Sequence, residues 1–516
     1  MAGLDEFRDT EDPAGVAEEA PAPSPDTGST GDDGTRSLVP PGPATDAVPT
    51  SGAGRMRLTA LIVACALFMQ NLDSTVIATA LPQMARSFNA DPLHMNLALT
   101  SYLLSLAVFI PASGWMADRY GTRTVFRAAI AIFTVGSVLC GRADSLPFLV
   151  ASRILQGVGG AMMVPVGRLV LLRSVSKSQL VAAMAWLTMP AMVGPVVGPP
   201  LGGIITTYAS WRWVFDINVP IGILGIVLVT LFIEDVREPP RGPFDLLGLV
   251  LTGGCLAGVL FGLETLGRGL VDPALTAGLL GVGALCGAAY ILYARRREAP
   301  LLDLSLLRLP TFGVSVGSGT LSRIGIGAIP FLLPLMLQVA FGWTAAESGL
   351  VTFASSAGAL VMKAAAQAAL RRFGFRTVLV WNGVISAVMV GAIGLFRPDW
   401  PVWGFYAVLL VGGFFRSLQF TAFNTLAYAD VVRSRMSAAT SLYSTIQQLS
   451  MTLGITAGAL TLQTASHLAG HARLLPADFT VAFMVVSAVM LLAVPAALLM
   501  PADAGADMSG AKRRGG

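Results

Sequence analysis

The sequence predicts an all-α polytopic membrane protein of about 14 transmembrane helices, two six-helix bundles with two helices inserted between them. Three observations carry this expectation. Of 516 residues, 54% are hydrophobic and only 12% are charged, where a soluble domain carries roughly 25% charged residues. Apolar runs long enough to cross a hydrocarbon core of roughly 30 Å recur along nearly the whole chain. Arginine and lysine concentrate in every second connection between those runs.

The elements follow in order. Residues 1–54 are acidic and rich in Pro, Gly, Ser, Asp and Glu. Such a segment cannot bury enough apolar surface to offset its ordering entropy, so a disordered cytoplasmic tail is expected. It has no basic stretch ahead of an apolar one, so neither a signal peptide nor a transit peptide is expected. Spans are then expected near 58–80, 95–116, 125–141, 147–171, 181–205, 214–233, 245–264, 274–294, 312–338, 348–369, 377–396, 402–426, 440–464 and 479–500. Pro and Gly interrupt several, which membrane helices tolerate when neighbours satisfy the freed backbone groups. With the N-terminus inside, the inner connections hold arginine clusters such as Arg119 with Arg123, Arg295 to Arg297, and Arg371, Arg372 and Arg376. The outer connections hold one each: Arg86, Arg142, Arg212, Arg268, Arg397 and Arg473. An odd number of spans would break the alternation, so both termini are expected in the cytoplasm. Residues 501–516, with "AKRRGG", make a basic tail.

The net charge of +4 says little, because its distribution carries the information. Cys65, Cys140, Cys255 and Cys286 all fall in apolar runs and read as buried free thiols, without disulfide or metal spacing. His94, His467 and His471 lie in short connections, away from any intramembrane metal site.

An internal repeat divides the chain. "DRYGTRTV" (118–125) is echoed by "RRFGFRTV" (371–378), and "RILQ" (153–156) by "RSLQ" (416–419), with offsets of 253 and 263 residues. Duplicated six-helix halves are therefore expected at 55–233 and 312–500, with residues 234–311 supplying the two inserted helices and their inner loops. Many secondary transporters are built from two such repeats around a midplane site.

Several motifs place chemistry on this frame. "FMQNLDSTVIATALPQM" puts Asp73 in the first span, and Arg153 lies inside the fourth. A charge at span centre costs about 2.5–3.5 kcal/mol on insertion scales, so Arg153 should face a cavity or an anion. "GWMADRYGTRTV" combines Gly114, Asp118, Arg119, Gly121 and Arg123. It resembles the signature loop of the major facilitator superfamily, in which small residues let helices pack and the charges latch the cytoplasmic face; Thr122 departs from the more usual basic residue. "GPVVGPPLGG" (194–203) resembles the antiporter motif of the drug-exporting branches, through Gly194, Gly198, Pro199, Gly202 and Gly203. "LDSTVIATALP" (72–82) and "WRWVFDINVPIG" (211–222) resemble motifs of the fourteen-span drug/proton antiporter group, the DHA2-type multidrug efflux transporters. Ala78 stands where that group usually has asparagine, and Asp216 where an apolar residue is usual. "PASGWMAD" and "LQGVGGAMMVPVGRL" resemble enterobacterial-type members of the same group.

The resemblance implies a major facilitator fold and a proton-driven exporter of small amphipathic compounds, working by alternating access in a bacterial cytoplasmic (inner) membrane. It assigns Arg153 to proton coupling; a structural ion pair or snorkelling is the plainer alternative. Burial favours neutral Asp73 and a nearby arginine favours the carboxylate, so a changing Asp73–Arg153 distance would link protonation to conformation. Asp216 reads either as a local variation in a wet vestibule or as an extra cation contact. Gln70, Gln156, Arg323, Gln338, Arg416, Gln419, Asn424 and Gln448 are candidate cavity or cargo contacts, with structural pairing the alternative. Export of an organic acid or metal chelate on the same fold is the other reading, since buried arginines suit anions. A membrane-embedded transferase would need a convergent His, Asp and Glu cluster, which the sequence lacks, so no enzyme activity is expected. The expected partners are a small-molecule substrate, protons and the lipid bilayer. No nucleic acid and no cofactor beyond the proton gradient are expected, and a monomer should suffice.

Overall fold

The computed structural model describes residues 53–174, 180–235, 244–265, 272–297, 300–432, 435–471, 473–498 and 500. The expected acidic tail, except its last two residues, and the expected basic tail lie outside the described residues. So do Lys177, Arg237, Arg241, Arg268 and Arg433 of the connections.

The described residues form fourteen helical segments. They are α1 Ala53–Ser87, α2 Pro92–Tyr120, α3 Thr122–Gly141, α4 Leu146–Ser174, α5 Leu180–Tyr208, α6 Trp213–Phe232 and α7 Leu246–Thr265. The remainder are α8 Pro273–Ala294, α9 Pro310–Ala340, α10 Ala345–Phe373, α11 Phe375–Ile393, α12 Val402–Leu426, α13 Met436–Leu468 and α14 Pro476–Leu498. Twelve are long and apolar enough to cross a membrane. The other two are α5 and α13, of 29 and 33 residues. Helix α13 is more polar because it buries Thr445, Ser450, Thr452 and Thr456 against protein.

Local signals explain where helices begin and turn. Thr344 and Glu347 close a capping box at the start of α10, and Asp272 accepts from the Ala274 amide at 2.9 Å at the start of α8. Between α2 and α3, and again between α10 and α11, the chain reverses on a positive-φ glycine: Gly121 at 91° and Gly374 at 75°. These two turns fall at matching positions of the sequence repeat. Some helices outrun their apolar stretches. Helix α1 starts at Ala53, five residues before the expected span, and carries Pro82 within it to reach Ser87.

The helix pairing is duplicated as well. Contacts α1–α5, α2–α4, α3–α4 and α3–α6 recur as α9–α13, α10–α12, α11–α12 and α11–α14. Helix α2 meets α13, and the equivalent α10 meets α5. Helices α7 and α8 pack on each other outside this pattern, with Leu256 and Leu260 of α7 against Leu104 and Ala107 of α2. The connection after α8 docks on the second half, where Arg435 reaches Asp303 at 2.5 Å.

The apolar core is shared unequally along the bundle. Near the Arg-poor connections one cluster runs through both halves, from Val76, Ile77 and Trp211 to Phe331, Leu337 and Phe405. Toward the Arg-rich connections it divides. One cluster there holds only first-half residues such as Met56, Phe126 and Val166, and another only second-half residues such as Met362, Phe375 and Phe423.

Glycines set the closest crossings. A Cβ on Gly202 of α5 would stand 2.5 Å from the Val76 carbonyl of α1, and Gly194 lies against Leu72 and Phe68. Gly198 abuts Thr75, while Gly203 abuts Ala345 and Ala346 of α10. In return Gly349 of α10 abuts the carbonyl of Pro199. The "GPVVGPPLGG" stretch is thus the junction of three helices, α1, α5 and α10, which only small residues permit. Gly202→Leu should force α5 off α1. Reduced thermal stability in detergent and loss of monodisperse protein are the expected readout, and a variant as stable as wild type would sink this account.

Candidate functional site: a buried acid–arginine pair in the first half

Asp73 sits midway along α1 and is 1% exposed; Arg153 of α4 is 0% exposed. Glycines let the helices around this pair pack closely against α4. A Cβ on Gly136 would meet the Gln156 backbone at 2.7 Å, and one on Gly159 the Phe133 nitrogen at 2.5 Å. Gly157 similarly lets α2 approach, beside Ser105 and the Tyr102 carbonyl.

Within this crossing Arg153 Nη1 donates to Asp73 Oδ2 at 2.7 Å. The other carboxylate oxygen, Oδ1, accepts from Gln156 Nε2 and from Asn218 Nδ2 of α6, each at 2.9 Å. Outer contacts fix the donors in turn. Arg153 Nε donates to the Ala98 carbonyl at 3.0 Å, and Nη1 also to Gln156 Oε1 at 2.6 Å. Asn218 Nδ2 also donates to Ser137 Oγ at 3.0 Å, and Ser137 Oγ to the Phe215 carbonyl at 2.9 Å. The Tyr102 ring lies 4.2 Å under the Arg153 guanidinium. Five helices thereby hold one charge-compensated network, in which Arg153 Nη2 and Asn218 Oδ1 have no hydrogen-bond partner among the described residues, in an interior where an unpaired charge would be very costly.

The expectation that Arg153 faces a cavity or an anion resolves to the anion, which is Asp73. Gln156 belongs to the same network, and Gln70 is buried on the preceding turn of α1. Asn218 and Ser137 were not singled out from sequence. Asn218 supplies to Asp73 an amide from α6, whereas α1 carries Ala78 where its resembled group has asparagine. Asp216 faces away from this network and lies 3.7 Å from Arg142, tying the end of α3 to the start of α6.

The signature loop is arranged differently from expectation in one respect. Among the described residues no atom lies within 4 Å of where a Cβ on Gly114 would stand, so Gly114 mediates no close helix packing there. Gly121 does: the carboxylate of Asp235, beyond the end of α6, lies against it, with Cγ 2.8 Å from a notional Cβ. Asp118 and Arg123 are half-buried and Arg119 is exposed.

The remaining candidates scatter. Gln338 Nε2 donates to the Thr79 carbonyl at 3.0 Å, joining α9 to α1 near the Arg-poor end, and the Ala346 amide donates to Thr207 Oγ1 at 2.9 Å nearby. A hollow of about 620 Å³ opens beside them, lined by Gln83, Arg86, Thr206, Gln338 and Trp343 among others. Gln419 accepts from Asn382 at 2.8 Å and donates to the Leu379 carbonyl at 3.2 Å. Asn424 and Gln448 are half-buried. Arg323 and Arg416 are buried in the second half, away from Asp73. Of the four free cysteines only Cys140 is fully buried, the other three being partly so.

Duplicated six-helix halves, joined by an extra helix pair and holding a buried ion pair in one half, are the architecture of a polytopic membrane transporter. The chain belongs to the Major Facilitator Superfamily, whose family model matches residues 63–315 and 314–515. It is similar to MdtD of Klebsiella pneumoniae subsp. pneumoniae, a protein named for multidrug resistance. The two are 40% identical over 406 residues, 78% of this chain and 85% of the relative. MdtD of Pectobacterium atrosepticum is 38% identical over 438 residues, 84% of this chain and 93% of the relative. Among solved structures, the human organic anion transporter MFSD10 (TETRAN) shares the fold, with a TM-score of 0.57 at 14% identity, over 86% of this chain and 99% of that one.

Proposed function

We propose that the chain is a proton-driven exporter of small amphipathic compounds, of the multidrug-efflux kind, working by alternating access in a bacterial cytoplasmic membrane. The observation that carries this reading is the Asp73–Arg153 pair at 2.7 Å, with Gln156 and Asn218 completing the carboxylate's shell. Protonating Asp73 removes the charge that holds Arg153, so the pair's geometry and the carrier's conformation become linked equilibria. A proton arriving from outside frees Arg153, and its departure inside restores the pair. The names of the MdtD relatives support the cargo class. Support for alternating access comes from the core that is joined near the Arg-poor connections and divided near the Arg-rich ones. With arginine on the cytoplasmic side, that is an arrangement facing inward. Proton gradient and cargo are the only other participants, and one chain suffices.

The test is a substrate-resistance panel in a pump-deficient host, paired with dye uptake into inverted membrane vesicles. Expression should raise resistance to several lipophilic compounds, and an uncoupler should collapse dye uptake. Uptake that survives the uncoupler would overturn the proton-driven reading. Conformational cycling has its own check, because Thr207 and Ala346 touch across the halves at 2.9 Å. In a cysteine-free background, joining Thr207→Cys to Ala346→Cys by oxidation should stop transport, and a reductant should restore it. Full transport by the cross-linked form would show that the halves do not separate there.

A further inference from the structure

The two halves treat their buried arginines in opposite ways. Arg153 is neutralised by Asp73, whereas Arg416, its counterpart in the sequence repeat, is 6% exposed and meets only Ser355 Oγ, at 2.5 Å. Its Nη1 has no partner among the described residues, and it lies over Gly412, where a Cβ would stand 3.1 Å from that nitrogen. A second arginine, Arg323 of α9, is 1% exposed. The latch offset of 253 residues puts Ile326 opposite Asp73, so Arg323 stands one turn from the position that holds the acid in the first half. Among the described residues no carboxylate pairs with either arginine.

Arg323 is held by aromatic groups. Its Nη2 donates to the Tyr443 hydroxyl of α13, and its guanidinium lies 4.8 Å over the Tyr443 ring and 5.7 Å over Phe420 of α12. Nε and Nη1 have no partner. Gly319, one turn earlier, leaves the room they occupy, since a Cβ there would stand 2.8 Å from Nη1. Phe420 is one turn from Arg416 on α12, so both guanidiniums border the same helix face.

We propose that the second half is an anion-recognition site, with Arg323 as its principal contact and the rings of Tyr443 and Phe420 as its apolar wall. The site takes an amphipathic organic anion: a carboxylate or sulfonate on an aromatic or alicyclic body. Unmade N–H bonds on a buried, uncompensated guanidinium are costly, and an incoming carboxylate supplies both the charge and the planar acceptors that a guanidinium fork matches. The faces of Tyr443 and Phe420 cover what the carboxylate is attached to. This deepens the exporter reading and rests on it for the anion's being cargo. Proton coupling stays in the first half, and charge selection falls to the second.

Equilibrium binding to the purified full chain in detergent tests this without a gradient. Fluorescence anisotropy with carboxyfluorescein is compared with rhodamine 6G, a cationic dye on the same xanthene core. Wild type should bind carboxyfluorescein saturably. Arg323→Gln should weaken it at least tenfold, Arg323→Lys should recover part of the loss, and rhodamine 6G should be unaffected by either change. Equal carboxyfluorescein binding by wild type and Arg323→Gln overturns the proposal. So does loss of both dyes together, which would mark a packing defect, or displacement of the dye by chloride as readily as by benzoate, which would mark a simple ion site. If Arg323→Gln does not stay monodisperse, Arg416→Gln takes its place, with at least a threefold weakening expected and an unchanged value overturning the proposal. Transport failing while binding persists would sink the exporter reading alone; binding failing while transport persists would sink this one alone.

Discussion

A chain carrying Asp73→Asn is expected to insert into the membrane but to be less stable than wild type, because Arg153 loses its counter-charge, and to lose proton-driven export to background. Asparagine has the size of aspartate, and its oxygen can still accept from Gln156 and Asn218, which lie 2.9 Å from Asp73 Oδ1. What disappears is the titratable group and the charge opposite Arg153. The helix crossings, set by Gly136, Gly157 and Gly159, are untouched. Downhill exchange of a dye across vesicles should therefore persist while pH-driven accumulation vanishes, a split that a folding defect would not produce. Undiminished accumulation by Asp73→Asn would remove Asp73 from the proton path.

Arg153→Gln should have the larger structural effect. Removing one member of a buried ion pair leaves the other charge uncompensated, typically at a cost of about 3–5 kcal/mol. Here the abandoned carboxylate is 1% exposed and keeps only two neutral donors. The variant should unfold at markedly lower temperature in detergent, or fail to accumulate. Adding Asp73→Asn to it should recover most of the lost stability without recovering transport, because the double variant is neutral again. Thermal unfolding of the two single variants and the double variant measures this coupling. Strictly additive losses would mean that the two side chains are not energetically paired.

Much of this molecule was legible in its sequence, for definite reasons. Crossing lipid demands long apolar runs, so fourteen segments and their alternating arginines announce themselves, and the repeated "RTV" with the "RILQ" and "RSLQ" echo points to repeated halves. Asp73 and Arg153 stood out because charge in an apolar run needs a partner. Asn218 and Ser137 escaped notice because an amide or hydroxyl in a membrane helix is inexpensive, and its partner is set by how α6 and α3 cross. That Gly114 touches nothing while Gly121 supports Asp235 is also a property of tertiary approach. The pairing of Arg416 is another such property: the repeat shows Ile326 opposite Asp73, but only the packed helices show that no other carboxylate among the described residues takes its place.

One more consequence attaches to helix α5. Gly202 touches the acid-bearing helix and its immediate neighbour Gly203 touches the opposite half, on faces about 100° apart on one rigid cylinder. No side chain lies between those two contacts to absorb motion. The two contacts make α5 the direct link between α10 and α1. In the alternating-access cycle proposed above, parting of the halves at Gly203 would therefore reach the helix that carries Asp73 through α5 itself.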